Sequence, residues 1–170
     1  MPDRWRFAAP WYALAALVIG LDQGCKWLAE AQLSYAMPRP VFAWFNLTLH
    51  YNQGAAFSFL SDAGGWQRWF FTGLALLVGG VILVWIHRLQ PQQRLLAAAL
   101  ALVLGGAIGN LIDRLRLGYV VDFISVHYRD WYFPTFNVAD AAISVGAALI
   151  ILDSLLAPQA GQEQADKQPE

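Results

Sequence analysis

The sequence is poor in charge. Charged residues make up 14% of its 170 residues and hydrophobic residues 58%, whereas a soluble domain is about a quarter charged. That deficit argues against an ordinary soluble domain and for a membrane protein. A net charge of −1 leaves no basic footprint, so no nucleic-acid partner is expected. The single cysteine, Cys25, excludes an internal disulfide and any multi-cysteine metal site. His50, His87 and His127 lack metal-ligand spacing among themselves or with acids. Ser58, Ser61, Ser125 and Ser144 lack a Gly-x-Ser-x-Gly setting. There is no P-loop, no dinucleotide fingerprint and no internal repeat. Neither a metal nor a cofactor is expected.

Long apolar runs and tryptophans are plentiful. A spanning helix needs about 20 mostly apolar residues, and four segments meet this: about 11–28, 69–86, 95–112 and 137–156. The first meets charge at Asp22 and Lys26, which share a helix face and can neutralise each other near the interface, so the span continues past them. Trp5, Trp11, Trp66, Trp69, Trp85 and Trp131 cluster at the ends of apolar runs, as interfacial anchors do. The first run has Arg4 and Arg6 ahead of it but no small-x-small cleavage site before a polar mature region, and three more spans follow, so it reads as a retained helix rather than a signal peptide. Leu21-Asp-Gln-Gly-Cys25 holds polar residues where a lipoprotein precursor has apolar and small ones. Cys25 therefore reads as helix packing.

Four spans put both termini on one side. Arg4, Arg6, Arg88, Arg94 and Lys167 lie on that side; Arg39, Arg68, Arg114, Arg116 and Arg129 lie on the other. The tie leaves orientation open by charge, although the short 87–94 connection and a polar, disordered tail over 159–170 suit the cytoplasm. The remaining connections, about 32–67 and 114–136, share the opposite side. Phe45, Leu47, Leu49 and Tyr51 alternate with Asn46, Thr48 and His50, a half-buried strand pattern. Asn52-Gln-Gly54 reads as a turn, and 55–59 as a short apolar continuation. The β-branched run 119–128 can pair with the first strand in a small sheet on the membrane surface. Residues 1–158 form one membrane-embedded domain in this reading.

Two acids, Asp122 and Asp140, stand where polar connections meet apolar helices. Charge is expensive at that depth, which makes an acid there a functional candidate. Two carboxylates sharing a site resist double ionisation, so one can act as base while the other is acid. Asn137 is a plausible cap three residues before Asp140. The positive end of the helix dipole then favours a charged Asp140. The competing reading makes Asp122 a solvated loop acid and Asp140 a simple first-turn acid. Asn110, Asp113 and Arg114 occupy one face at the end of the third helix. There Asp113 is either a partner of Arg114 or a plain surface acid. Gly105, Gly106 and Gly109 are small residues that let helices approach.

Taken together, Asp22-x-x-x-Lys26, Asn52-Gln-Gly-Ala-Ala-Phe57, Gly105-Gly-Ala-Ile-Gly-Asn-Leu-Ile-Asp-Arg114, Val120-Val-Asp-Phe123 and Phe136-Asn-Val-Ala-Asp140 resemble the lipoprotein signal peptidase family, the bacterial type II signal peptidases. The resemblance covers most of the chain. It implies an α-helical integral protein of the inner membrane with four transmembrane helices and cytoplasmic termini. It also implies a small extracytoplasmic β cradle and a short, mobile periplasmic helix over the site. The implied activity is that of an aspartyl endopeptidase facing the periplasm, with Asp122 and Asp140 as the catalytic pair. The implied substrate is a prolipoprotein carrying diacylglycerol on its cysteine, cut just before that cysteine. Asn52, Gly54, Asn110, Arg114 and Asn137 match polar or close-approach positions around the site, and Asp22 with Lys26 a structural pair. Arg114 can anchor a backbone carbonyl or a lipid headgroup. Membrane lipid and globomycin-type cyclic peptide inhibitors are the other implied partners, and a monomer is expected.

Three rival readings compete with this one. A presenilin-like protease places both acids inside helices, one in a Gly-x-Gly-Asp setting that this sequence lacks. A small proton-coupled carrier would use Asp22, Asp122 and Asp140 as a relay, but carriers usually show internal repeats. A purely structural membrane subunit would need only capped helix ends.

Overall fold

The structure is a computed structural model and describes residues 2–54 and 65–156. Its elements are α1 (Pro2–Gln32), β1 (Arg39–Phe42), β2 (Phe45–Asn52), α2 (Trp66–Arg88), α3 (Arg94–Arg116), β3 (Val120–Tyr128), β4 (Trp131–Tyr132) and α4 (Val138–Leu156). The expected apolar continuation at 55–59 and the tail over 159–170 lie outside the described residues. The short helix expected over the site is not among the described elements, and residues 55–64 of its segment lie outside them.

Among the described residues three helices, α2, α3 and α4, are long and apolar enough to cross a membrane. The helix α1 has 31 residues but carries Arg4, Arg6, Asp22, Lys26 and Glu30, and it does not meet that criterion. α3 is the hub against which the other helices pack. A methyl group on Gly106 would collide with the Ala139 carbonyl oxygen of α4, and one on Gly105 would lie 2.7 Å from Val18 Cβ of α1. Helix backbones approach this closely only where side chains are small. α2 and α4 turn Leu77, Val81 and Val84, and Val145, Ile151 and Leu155, outward. Such an apolar belt is a liability in water and suits hydrocarbon. Trp66 and Trp69 stand exposed at the start of α2 and Trp85 near its end.

The core has two parts. Ala8, Ala15, Ile82, Ile86, Leu100 and Leu104 join α1, α2 and α3. Ala29, Leu49, Val121 and Phe123 join α1 to the sheet, and Cys25 packs against them, as its packing role requires.

The sheet has four antiparallel strands in the order β1-β2-β3-β4. β2 begins where the alternating pattern starts. Burial does not follow the alternation, however: Asn46, Thr48 and Asn52 are buried as well as Leu49, while Tyr51 is exposed. Alternation reveals the period and not which face turns inward. The register of β2 on β3 shifts between Leu47↔Ile124 and His50↔Asp122. Two residues, Thr48 and Leu49, thus oppose Phe123, a β-bulge one step from Asp122. Gly118, at φ 88, takes the left-handed conformation that ends α3 and turns the chain into β3.

Candidate active site

β3 carries Asp122 and the first turn of α4 carries Asp140. Main-chain bonds bring the two elements together. Phe123 and Ile124 donate their N–H groups to the Phe136 carbonyl at 3.1 and 2.8 Å, and Phe136 N–H donates to the Ile124 carbonyl at 3.0 Å. The chain entering α4 is thereby pinned to β3, and the next residue, Asn137, is set against Asp122.

Asn137 is fully buried and serves both acids. Its Oδ1 accepts the Asp140 N–H at 2.9 Å and so caps α4, while its Nδ2 donates to Asp122 Oδ1 at 2.7 Å. The Asp140 carboxylate faces back to the Asn137 N–H at 3.4 Å, which completes a capping box. The cap reading and the paired-acid reading of Asp140 therefore describe one arrangement. An amide suits this position because it presents an acceptor to the helix end and a donor to the carboxylate.

The other expected residues converge on the same place. Asn52 Nδ2 donates to Asp122 Oδ2 at 3.1 Å, and its Oδ1 accepts the Gly54 N–H at 2.9 Å in a local turn. Asn110 Nδ2 donates to Asp140 Oδ1 at 2.8 Å. Arg114 donates to the Gly54 carbonyl at 2.9 Å and lies 5.3 Å from the centre of the Phe71 ring. Burial pushes the Asp122 carboxyl up to about 7, and the neighbouring charge of Asp140 adds to the effect. The bonds from Asn52 and Asn137 and the charge of Lys26 pull the other way. Asp122 is thus poised to hold or release a proton near neutral pH.

Between α2, α3 and α4 lies a cavity of about 530 Å³, lined on its apolar side by Leu74, Val78, Val103 and Phe136 and on its polar edge by Asn110, Arg114 and Asp140. Asp140 faces the cavity, while Asp122, only 2% exposed, lies behind it.

The charged residues beneath the site differ from the sequence expectation. Asp22 and Lys26 do pair, at 2.8 Å, and both are buried. Asp113 is neither a surface acid nor the partner of Arg114: it is 3% exposed and pairs with Lys26 at 2.8 Å. The reason is tertiary. Helix packing brings α1 against α3 at Gly109, where a Cβ would lie 2.7 Å from Asp22 Oδ2. Sequence reasoning overlooked Gln23, whose Nε2 donates to Asp113 Oδ1 at 2.8 Å. Its only signal is that it stands beside Asp22 on a span face.

Comparison with known proteins gives the family and the fold. Residues 14–156 match the family described as signal peptidase (SPase) II. The chain is 55% identical over 148 residues to the lipoprotein signal peptidase of Teredinibacter turnerae, covering 87% of this chain and 88% of that one. It is 49% identical over 168 residues to the lipoprotein signal peptidase of Ectopseudomonas mendocina, covering 97% and 99%. A bacterial membrane enzyme solved by the in meso method at 2.3 Å superposes with a TM-score of 0.78 at 27% identity, over 95% of this chain and 93% of the other. Matched across nearly its whole described length in sequence and in fold, the chain belongs to the signal peptidase II family.

Proposed function

We propose that this chain is an aspartyl endopeptidase that removes the signal peptide from diacylglyceryl-modified prolipoproteins, cutting just before the lipidated cysteine. The observation that carries the reading is the pair Asp122 and Asp140, held by one asparagine, with Asp140 on the polar edge of an apolar cavity and Asp122 buried behind it. The names of the relatives support the substrate.

In the proposed reaction the Asp140 carboxylate takes a proton from a water, which attacks the scissile carbonyl carbon, while protonated Asp122 gives its proton to the carbonyl oxygen. The resulting diol collapses as its hydroxyl returns a proton to Asp122, the C–N bond breaks, and the amine leaves with the proton held on Asp140. Asn110, Asn137 and Asn52 hold the two carboxylates, and Arg114 holds the Gly54 carbonyl of the turn after β2. A diacylated substrate is confined to the bilayer. The cavity between α2, α3 and α4 receives its acyl chains and signal helix, so the scissile bond meets the acids at the span ends. Globomycin-type cyclic peptides would occupy the same cavity.

In this reading α1 is a fourth span, its buried charges neutralised inside the bundle. Both termini are cytoplasmic, and the sheet and active site face the periplasm from the inner membrane. The protein works as a monomer. A carrier relay through Asp22 has less support, because Asp22 is taken up by Lys26 and by the Ala139 N–H at 2.8 Å each.

The test is cleavage by the purified chain of a diacylglyceryl prolipoprotein and of its unlipidated form. The expected product, from the lipidated form alone, begins at the lipidated cysteine by mass spectrometry. Equal cleavage of both forms, a cut elsewhere, or no cleavage would overturn the proposal.

A further inference from the structure

The Asp22–Lys26 motif has no part in the reaction just described, yet it lies at the centre of a buried polar cluster. We infer that Lys26, bound between Asp22 and Asp113, is a positioning residue. It ties down the residue preceding each active-site aspartate and fixes the Asn110 amide so that its NH2 group faces Asp140. The inference rests on the assignment of Asp122 and Asp140 as the reacting pair.

An ammonium group has three donors and no acceptor. All three are used at 2.8 Å, on Asp22 Oδ2, Asp113 Oδ2 and Asn110 Oδ1. The second oxygen of Asp22 accepts the N–H of Ala139 at 2.8 Å, and Asp113 Oδ2 accepts the N–H of Val121 at 3.1 Å. Ala139 immediately precedes Asp140, and Val121 immediately precedes Asp122. One lysine thus links the two backbone points from which the acids are hung.

The Asn110 amide is the third link. Lys26 offers it only hydrogens, so the amide oxygen must face the lysine and the NH2 group must face away. Away from the lysine lies Asp140 Oδ1, at 2.8 Å. Asn137 Nδ2 also donates to Asn110 Oδ1, at 3.2 Å, and reinforces that orientation. If Lys26 were replaced by an apolar side chain, Asn110 would be freer to turn its oxygen toward the carboxylate.

Stability alone does not explain the cluster. Buried ion triads are often no better than well-packed apolar side chains of similar volume. What an apolar replacement does not supply is directional bonding to two backbone N–H groups and an amide, together with a fixed charge beside the acids. That charge acts on Asp122, which Lys26 holds lower than burial alone would. The charged and titratable groups around the pair are Asp22 and Lys26 from α1, Asp113 and Arg114 from α3, and His50, the cross-strand neighbour of Asp122 on β2.

The experiment compares pH–rate profiles for cleavage of the lipidated prolipoprotein by wild type, Lys26→Met and Asp113→Asn. Asn at 113 keeps an oxygen for Lys26 and for Val121 N–H but removes a negative charge. Losing the cation should move the profile to higher pH by about one unit, and losing the anion should move it to lower pH. A purely structural support would scale the rate and leave the profile in place. Opposite displacements are the expected result. Folded variants whose profiles superimpose on wild type would overturn the inference. If Lys26→Met does not accumulate as folded protein, Asp113→Asn decides alone by the presence or absence of the acid-ward shift. Asp122→Asn and Asp140→Asn, assayed alongside, report on the aspartate pair itself. Inactive pair variants with superimposed profiles refute only the role of Lys26, whereas active pair variants refute the reaction on which it rests.

Discussion

Asn137 joins helix capping to catalysis, and two substitutions separate these contributions. Asn137→Ala removes both the cap to Asp140 N–H and the bond to Asp122 Oδ1. Asn137→Ser keeps an oxygen at a preferred capping position but loses the donor to Asp122. Loss of the cap costs about 1 kcal/mol, and above about pH 7, where Asp122 is ionised, loss of a bond to a charged group costs about 1.5–3 kcal/mol. Alanine should therefore be less stable than serine by about 1 kcal/mol, and serine less stable than wild type by more than that. If the bond to Asp122 is made in the transition state, its loss lowers kcat by roughly 10- to 100-fold, to a similar extent in both variants. Thermal unfolding in detergent gives the order of stability, and cleavage of lipidated substrate gives the rates. If serine restored activity as fully as it restores the cap, Asn137 would act only on the helix end and the bridge to Asp122 would have no catalytic role.

Further predictions follow from single contacts. The folded protein holds the Asp122 proton up to about pH 7, whereas the unfolded chain releases it near 4. The folded state therefore binds the extra proton across that window. Stability should fall as pH rises through it, by a limit of about 4 kcal/mol. Asp122→Asn should flatten that slope in melts run from pH 4 to 8. For the same reason cleavage should decline above about pH 7, as the acid loses its proton. Gly109→Ala places a methyl group 2.7 Å from Asp22 Oδ2. It should lower the melting temperature more than Gly80→Ala, where nothing lies within 4 Å of the added carbon. Arg114→Ala should raise KM for the lipidated substrate, since it opens the Gly54 contact at the cavity edge; an unmoved KM would reject that role.

Much of the fold was legible because apolar runs and period-2 alternation are local. The run 69–86 lies within α2 (Trp66–Arg88), and the alternation from Phe45 lies within β2. The candidate acids and their amides were legible through motif resemblance and through Asn137 standing three residues before Asp140. What escaped was tertiary. That Lys26 reaches Asp113 depends on how α1 packs on α3 at Gly109, which no spacing within either helix reveals. The bulge opposite Phe123 leaves no mark in a sequence that alternates through it. The burial of Asn46, Thr48 and Asn52 was not legible either, because an alternating run leaves open which face is covered; Asn52 turns inward to reach Asp122.

The central claim is that Asp122 and Asp140 act together as acid and base. The most direct measurement is the cleavage rate of a diacylglyceryl prolipoprotein by Asp122→Asn and by Asp140→Asn, each shown to be folded by its thermal transition. Asn keeps the shape of the side chain but does not cycle a proton. Each substitution should lower the rate by about 100- to 10,000-fold or more. Near-wild-type cleavage by either variant would contradict it.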